Sequence, residues 1–181
     1  ILTEKGVVSG DGFMQKEMGY VCACSGVWQE EMGYGLLKGE DSSMESVDNS
    51  YSVLMSVYHK EKAEYLKQAM DSIWEQTIPT DDFVLVCDGP LTTELDAVIE
   101  NMQEEHGSTL HVVRLEKNGG LGNALNAGMK ECKHELVARM DSDDISRPDR
   151  CERQLAVFGE HPEVSVCSGI VEEFTVSTDQ I

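Results

Sequence analysis

The sequence predicts an α/β domain, a mostly parallel sheet flanked by helices, beginning at about residue 51. Three observations carry that expectation. From Tyr51 onward, short apolar runs of strand length alternate with longer stretches whose apolar residues recur at helical spacing. One of the short runs, Phe83 to Cys87, is continuously apolar, as a strand covered on both faces must be. Each predicted strand is followed by polar or glycine residues, which suits the carboxyl end of a strand in a βα unit.

The elements follow in order. Tyr51 to Tyr58 is the first strand. A helix from about Lys62 to Gln76 comes next, with Tyr65, Leu66, Ala69, Met70, Ile73 and Trp74 on one face, and Pro79 ends it. Phe83 to Cys87 is the second strand, and Leu95, Val98, Ile99 and Met102 make the next helical stripe. The third unit runs from a strand at Leu110 to Leu115 into a helix at Leu121 to Cys132, with Leu121, Ala124, Leu125 and Met129 inward. Leu136 to Met140 is the fourth strand, so three βα units and a strand precede Asp141, and a further helix begins near Pro148.

Residues 1–50 have a different texture. Gly6, Gly10, Gly12, Gly19, Gly26, Gly33, Gly35 and Gly39 interrupt every apolar pattern before it lasts two helical turns, and no motif stands among them. The stretch reads as an irregular Gly-rich linker or appendage to a domain at 51–181. Because the chain starts at Ile1 rather than Met, the translational start is expected upstream.

The formal charge is -20, from 34 Asp and Glu against 14 Lys and Arg, so the surface field repels nucleic-acid phosphates and anionic headgroups. No nucleic-acid partner is expected. A small anionic ligand can still bind where a metal ion and backbone N–H groups supply local positive charge. No apolar run approaches the roughly 18 residues of a transmembrane segment, and no stretch has the order of a secretory signal. The expected location is cytoplasmic. Cys22, Cys24, Cys87, Cys132, Cys151 and Cys167 show neither the paired spacing of a zinc site nor a disulfide framework, so reduced thiols are expected.

In open α/β sheets, ligands collect outside the carboxyl ends of the strands. The four predicted strands lead into Ser56, Val57 and Tyr58; Asp88 and Gly89; Asn118, Gly119 and Gly120; and Asp141, Ser142, Asp143 and Asp144, all along one edge. Carboxylates packed as closely as Asp141, Asp143 and Asp144 repel one another unless solvated or bridged, and hard divalent cations prefer such oxygens. In an extended segment, the Asp-x-Asp spacing points Asp141 and Asp143 to one side. Blander alternatives stand beside each feature. Asp144 or Ser146 could cap the helix near Pro148, and Tyr58 could be a half-buried strand-end aromatic. Asp88-Gly89-Pro90 could be a plain turn, and Asn118-Gly119-Gly120 a loop that admits positive φ.

The order of these pieces resembles the family 2 glycosyltransferases, from Tyr51 to about Phe174. The resemblance rests on Ser52 to Tyr58, on Ser72 to Gln76 in the first helix and on Val84 to Gly89. It continues with Asn118 to Asn126, Ala138 to Asp144, Arg147 to Arg150, and Gln154. It implies a Rossmann-like, A-type nucleotide-diphospho-sugar-binding fold, of which the chain is a truncated, N-terminal half. By that resemblance Ser56, Val57 and Tyr58 lie at the base and ribose, with the Tyr58 ring on the pyrimidine, and Asp88 accepts the base N3–H. Gly120 and Asn123 belong to the nucleotide-binding loop. Asp143 is the principal ligand of Mg²⁺ or Mn²⁺, with Asp141 beside the ribose or in the metal's water shell. The implied activity is inverting transfer of a sugar from a nucleoside diphosphate, uridine-based, to a saccharide or lipid-linked acceptor in cell-surface polysaccharide synthesis. The full-length protein would then sit peripherally at the membrane.

Some features depart from the family pattern. His59 stands where members often have Asn and reads as a solvent-side loop residue, and no Arg occurs between Gly119 and Asn123. The acceptor site and the general base are expected beyond Ile181, with Glu172 and Glu173 the nearest stray acids inside the chain. Two other functions remain as rivals. A haloacid-dehalogenase-like phosphatase also carries Asp-x-Asp after an apolar strand, but on its first strand and with Thr or Val where Ile145 stands here. A non-catalytic nucleotide-binding module would use the same sheet and turn nothing over.

Overall fold

The computed structural model describes residues 50–170 and, before them, two short strands, β1 (Leu2–Thr3) and β2 (Met18–Cys22). Cys24, Glu172, Glu173 and the end of the resemblance at Phe174 lie outside the described residues. The main series is β3 (Ser52–Val57), α1 (Ala63–Trp74), β4 (Asp82–Cys87), α2 (Thr93–His106) and β5 (Leu110–Arg114). It continues through α3 (Leu121–Met129), β6 (Val137–Asp141), α4 (Arg150–Glu160) and β7 (Val166–Ile170). The N-terminal stretch therefore contributes two strands, although glycines break up any pattern that would announce them.

The strands form one sheet in the order β2-β7-β1-β6-β3-β4-β5. β3 pairs in parallel with both β4 and β6, and β4 pairs in parallel with β5. β1 runs antiparallel to β6 and β7, and β2 antiparallel to β7. The four predicted strands thus end at one edge, as expected. Their lateral order adds what alternation alone does not show: β6, fourth in the chain, returns to lie beside β3, the first. The direction of winding reverses between those two strands, and at such a switch point the connecting loops part and leave a crevice.

Side chains alternate across the sheet and settle which helices cover which face. Val53, Met55 and Val57 pack with Leu66, Met70 and Ile73 of α1, in a cluster that α2 and α4 complete. Leu54, Val84 and Val86 face the other way, onto Ala124 of α3. Each large apolar side chain buried here contributes about 1.5–3 kcal/mol relative to exposure.

Two predicted inward residues are outside. Tyr65 is 38% exposed, on the flank of the α1 stripe, where its hydroxyl accepts a bond from Lys62 Nζ at 3.0 Å. Leu121 is 51% exposed because it opens α3 at the sheet edge. Contact between α3 and the sheet is made instead at Gly128, where a Cβ would lie 2.4 Å from Leu54 Cδ1 and 2.6 Å from Val86 Cγ2. Only a residue without a side chain fits there.

The amino ends of the strands are fastened by a buried acid. Asp82 Oδ2 accepts bonds from Ser52 Oγ at 2.6 Å and from the Lys133 backbone N–H at 2.8 Å, and Lys133 Nζ lies 3.3 Å from Oδ1. Burial pushes this carboxyl up, but the Lys133 N–H, the Ser52 hydroxyl and the Lys133 ammonium together outweigh it and hold it below the usual carboxylate value. Cys87, Cys132, Cys151 and Cys167 are buried and form no disulfide, and burial raises the Cys87 thiol to about 11. Among the described residues, no helix is long and apolar enough to cross a membrane.

Candidate functional site

The crevice between β3 and β6 is lined by backbone register before any side chain is considered. Ser56 stands opposite Asp141 on β6 and opposite Val86 on β4. Adjacent strands lie about 4.8 Å apart, so the Ser56 hydroxyl and the Asp141 carboxylate are neighbours on one face. Val57 is different. Its side chain is buried among the helices on the opposite face, and its carbonyl already accepts the Asp88 N–H at 2.8 Å, so it bounds the site only as backbone. Tyr58 emerges just past the strand, 41% exposed, with the His59 ring edge-on at 5.7 Å.

Asp88, at the end of β4, is only 4% exposed, and each of its carboxylate oxygens has a backbone partner. Its two oxygens accept one backbone N–H each, from Gly119 at 2.7 Å and from Gly120 at 3.0 Å, while its carbonyl accepts from Asn118 Nδ2 at 3.2 Å. A carboxylate has about four lone-pair sites, so two remain. Gly89 has φ of +85°, and a Cβ there would lie 2.5 Å from the Asn118 backbone nitrogen. The Asp88-Gly89 pair is therefore more than a turn, since it docks one loop onto another. Gly120 also has φ of +85°, as the loop reading anticipated, and Asn123 Nδ2 donates to the Gly119 carbonyl at 2.6 Å. Both residues predicted to touch nucleotide are here seen bracing the loop that holds Asp88.

The acidic stretch follows β6. Arg139 and Asp141 lie on one face of the strand, and the guanidinium donates to the Asp141 carboxylate. Asp143 is exposed and Asp144 half-buried. Burial, then the charges of Asp141 and Asp143, push the Asp144 carboxyl above its usual value, with Arg139 and Arg150 opposing. Among the described residues, no three His, Cys, Asp or Glu side chains converge on one point. The donors present fit a hard cation that one or two carboxylates hold and that phosphate oxygens and water complete, and they do not fit an all-protein cage.

Ser72, Gln76, Arg150 and Gln154, which frame this stretch, carry no role that residue type or spacing announces. α4 starts at Arg150, with Asp149 at its cap position and no side-chain cap bond, so neither Asp144 nor Ser146 caps it. Ser146 turns to α1 instead, its N–H donating to Ser72 Oγ at 2.9 Å. Gln76 Nε2 donates to Ser146 Oγ at 3.2 Å and to the Arg147 carbonyl at 2.7 Å, and Gln76 Oε1 accepts from the Cys151 N–H at 3.0 Å. Arg150, nearly buried, donates to the Arg139 carbonyl at 2.8 Å and to Gln154 Oε1 at 3.3 Å. Ser72, Gln76, Arg150 and Gln154 all belong to the segments that carried the resemblance, but their partners are distant in sequence and have no periodic signature.

The chain has relatives among known proteins. The model of the family Glycosyl transferase family 2 matches residues 52–180. The amylovoran biosynthesis glycosyltransferase AmsE of Erwinia amylovora is 48% identical over 124 residues, 68% of this chain and 46% of that protein. The UDP-Gal:alpha-D-GlcNAc-diphosphoundecaprenol beta-1,3-galactosyltransferase of Escherichia coli is 40% identical over 124 residues, covering 68% of this chain and 44% of that protein. Among solved structures, S. aureus TarS 1–349 in complex with UDP superimposes with a TM-score of 0.54 at 27% identity, over 62% of this chain and 33% of that one. The chain spans under half the length of these relatives.

Proposed function

The chain belongs to glycosyl transferase family 2, and from that premise we propose that the crevice between β3 and β6 receives the nucleoside diphosphate of a sugar donor, with uridine as the base. The observation that carries the proposal is the meeting at one switch point of Ser56, Asp88 and the Asp141–Asp144 stretch, which come from three different strand ends. The lone pairs that Asp88 keeps after binding Gly119 and Gly120 suit the N3–H of uracil. The exposed Tyr58 ring offers the base an apolar face. The phosphates would lie toward Asp143 and Asp144, held through Mg²⁺ or Mn²⁺, which offsets their charge and that of the departing diphosphate. Arg139 restrains Asp141 by hydrogen bond and leaves Asp143 as the principal ligand.

The wider reading draws on relatives. The E. coli relative is named for a UDP-Gal donor and a diphosphoundecaprenol-linked acceptor, the E. amylovora relative for amylovoran biosynthesis, and TarS has been solved with UDP-GlcNAc at 27% identity. The whole protein, in this proposal, transfers a sugar to a saccharide or lipid-linked acceptor, working peripherally at the membrane that holds it.

The test is titration calorimetry of uridine diphosphate and adenosine diphosphate, each with and without Mn²⁺. Uridine diphosphate should bind, more tightly with Mn²⁺ and more tightly than the adenine nucleotide. Failure of Mn²⁺ to alter the binding of either nucleotide overturns the proposal.

A further inference from the structure

We infer that buried Ser72, on α1, and buried Gln76, just past its end, are positioning residues that fix where Asp143 and Asp144 stand, so that the end of α1 sets the cation affinity of the donor site; the inference rests on the donor-site proposal. Residues 143–145 are a short span between two fastened points. On one side, buried Ser142 donates from Oγ to Glu61 Oε2 at 3.2 Å, and the Glu61 N–H is itself tied to the Tyr58 carbonyl at 3.0 Å at the approach to α1. On the other, Ser146 donates its N–H to Ser72 Oγ at 2.9 Å and accepts from Gln76 Nε2 at 3.2 Å. The Pro148 carbonyl accepts the Thr77 N–H at 2.8 Å, so the segment beyond is held as well. Exposure follows the same plan, with the anchors Ser142 and Ser146 buried, Asp143 exposed and Asp144 half-buried between them.

Gln76 is the piece no other side chain supplies. Its Nε2 faces the Ser72 carbonyl at 3.0 Å, Ser146 Oγ and the Arg147 carbonyl, while its Oε1 receives the Cys151 N–H. Only an amide of this length donates and accepts at both ends of that gap. Three residues reach at most about 10 Å when extended, so fixing both ends of 143–145 leaves the two carboxylates few places to go. Residues that orient metal ligands without touching the metal typically account for about 10- to 100-fold in affinity.

The test uses the 181-residue chain, Mn²⁺ and uridine diphosphate. Calorimetry gives the nucleotide affinity in chelator and in Mn²⁺, and electron paramagnetic resonance counts free Mn²⁺. Gln76→Glu keeps the bond from Cys151 but turns lone pairs toward two carbonyls, and Ser72→Ala removes one hydroxyl, which accepts the Ser146 N–H and donates to the Ala69 carbonyl of its own helix, so it reports even if the first variant folds poorly. At temperatures where each is folded, the Mn²⁺-dependent gain in affinity should fall about tenfold in Gln76→Glu and severalfold in Ser72→Ala. The affinity measured in chelator should stay within about twofold of wild type. A wild-type gain in both variants overturns the inference, as does an equal loss in chelator and in Mn²⁺, which would mark these residues as supports of the fold alone. Absence of any Mn²⁺-dependent gain in the wild type overturns the donor-site proposal instead, and this inference with it.

Discussion

Replacing Asp88 with Asn changes one atom and reverses half of a lock. The native carboxylate presents an acceptor to each of two N–H groups, Gly119 at 2.7 Å and Gly120 at 3.0 Å. An amide has one oxygen, so whichever way it turns, its NH₂ meets the other N–H donor to donor. Bonds to a charged group contribute about 1.5–3 kcal/mol each and neutral ones about 1 kcal/mol, so the substitution loses one of the former and weakens the other. Gly119 is exposed, and water can reach the freed N–H, which limits the net cost to about 2 kcal/mol. For a chain of this size that corresponds to a fall in Tm of roughly 4–8 °C. Thermal unfolding followed by circular dichroism measures it, and Mn²⁺-dependent binding of uridine diphosphate should weaken by about tenfold or more in the same variant. An unfolding midpoint within about 1 °C of wild type would show that the carboxylate does not hold the loop.

Other expectations follow from the same contacts. Gly128→Ala places a methyl against Leu54 and stiff Val86, so overpacking of about 1–3 kcal/mol should outweigh the gain of about 1 kcal/mol in helix propensity, and urea titration should show a lower midpoint. Asp143→Ala should abolish the Mn²⁺-dependent part of nucleotide binding while leaving the melting temperature unchanged or slightly higher, since a repulsive cluster loses a member; calorimetry and a melting curve read both. Asp82 has a folded-state pKa below its ordinary value, so its contribution to stability is present above the usual carboxylate range and disappears as pH falls through the folded value. Asp82→Asn should accordingly be less stable than wild type at pH 7, with the difference closing below about pH 4 in denaturant titrations across pH.

Local patterning made the strands and helices readable, because burial on both faces and helical spacing leave periodic marks. The second strand, read as Phe83 to Cys87, begins at Asp82, and the predicted stripe on α2 is the one whose Leu95, Ile99 and Met102 are buried. Tyr65 and Leu121 misled because a residue at the flank or the first turn of a helix shares the period of the stripe without sharing its burial. Gly128 misled in the opposite direction, since a missing side chain carries no hydrophobic signal even where it decides how near a helix can come. At the site, the acids and glycines showed themselves by type and spacing. What Asp88, Ser72 and Gln76 do could not be read that way, because each acts on a partner whose position is known only once the sheet is wound.

The pairing of β6 against β3 also bears on how the molecule comes into being. As the chain is synthesised, β3, β4 and β5 can associate with their helices while β6 is still unmade, because each parallel pair in that group joins strands separated by a single helix. The strand that carries Asp141 must then cross back over everything already assembled to reach Ser56. Contacts between segments so remote in the chain close slowly, since the entropy of drawing the loop together is lost before the contact repays it. The edge of β3 that awaits β6 would meanwhile stand open, a row of unpaired N–H and C=O groups in a largely apolar strand, able to pair with another chain. Aggregation during refolding should therefore depend on how fast residues 137–141 dock, and slowing that step should affect yield before it affects the stability of the finished protein.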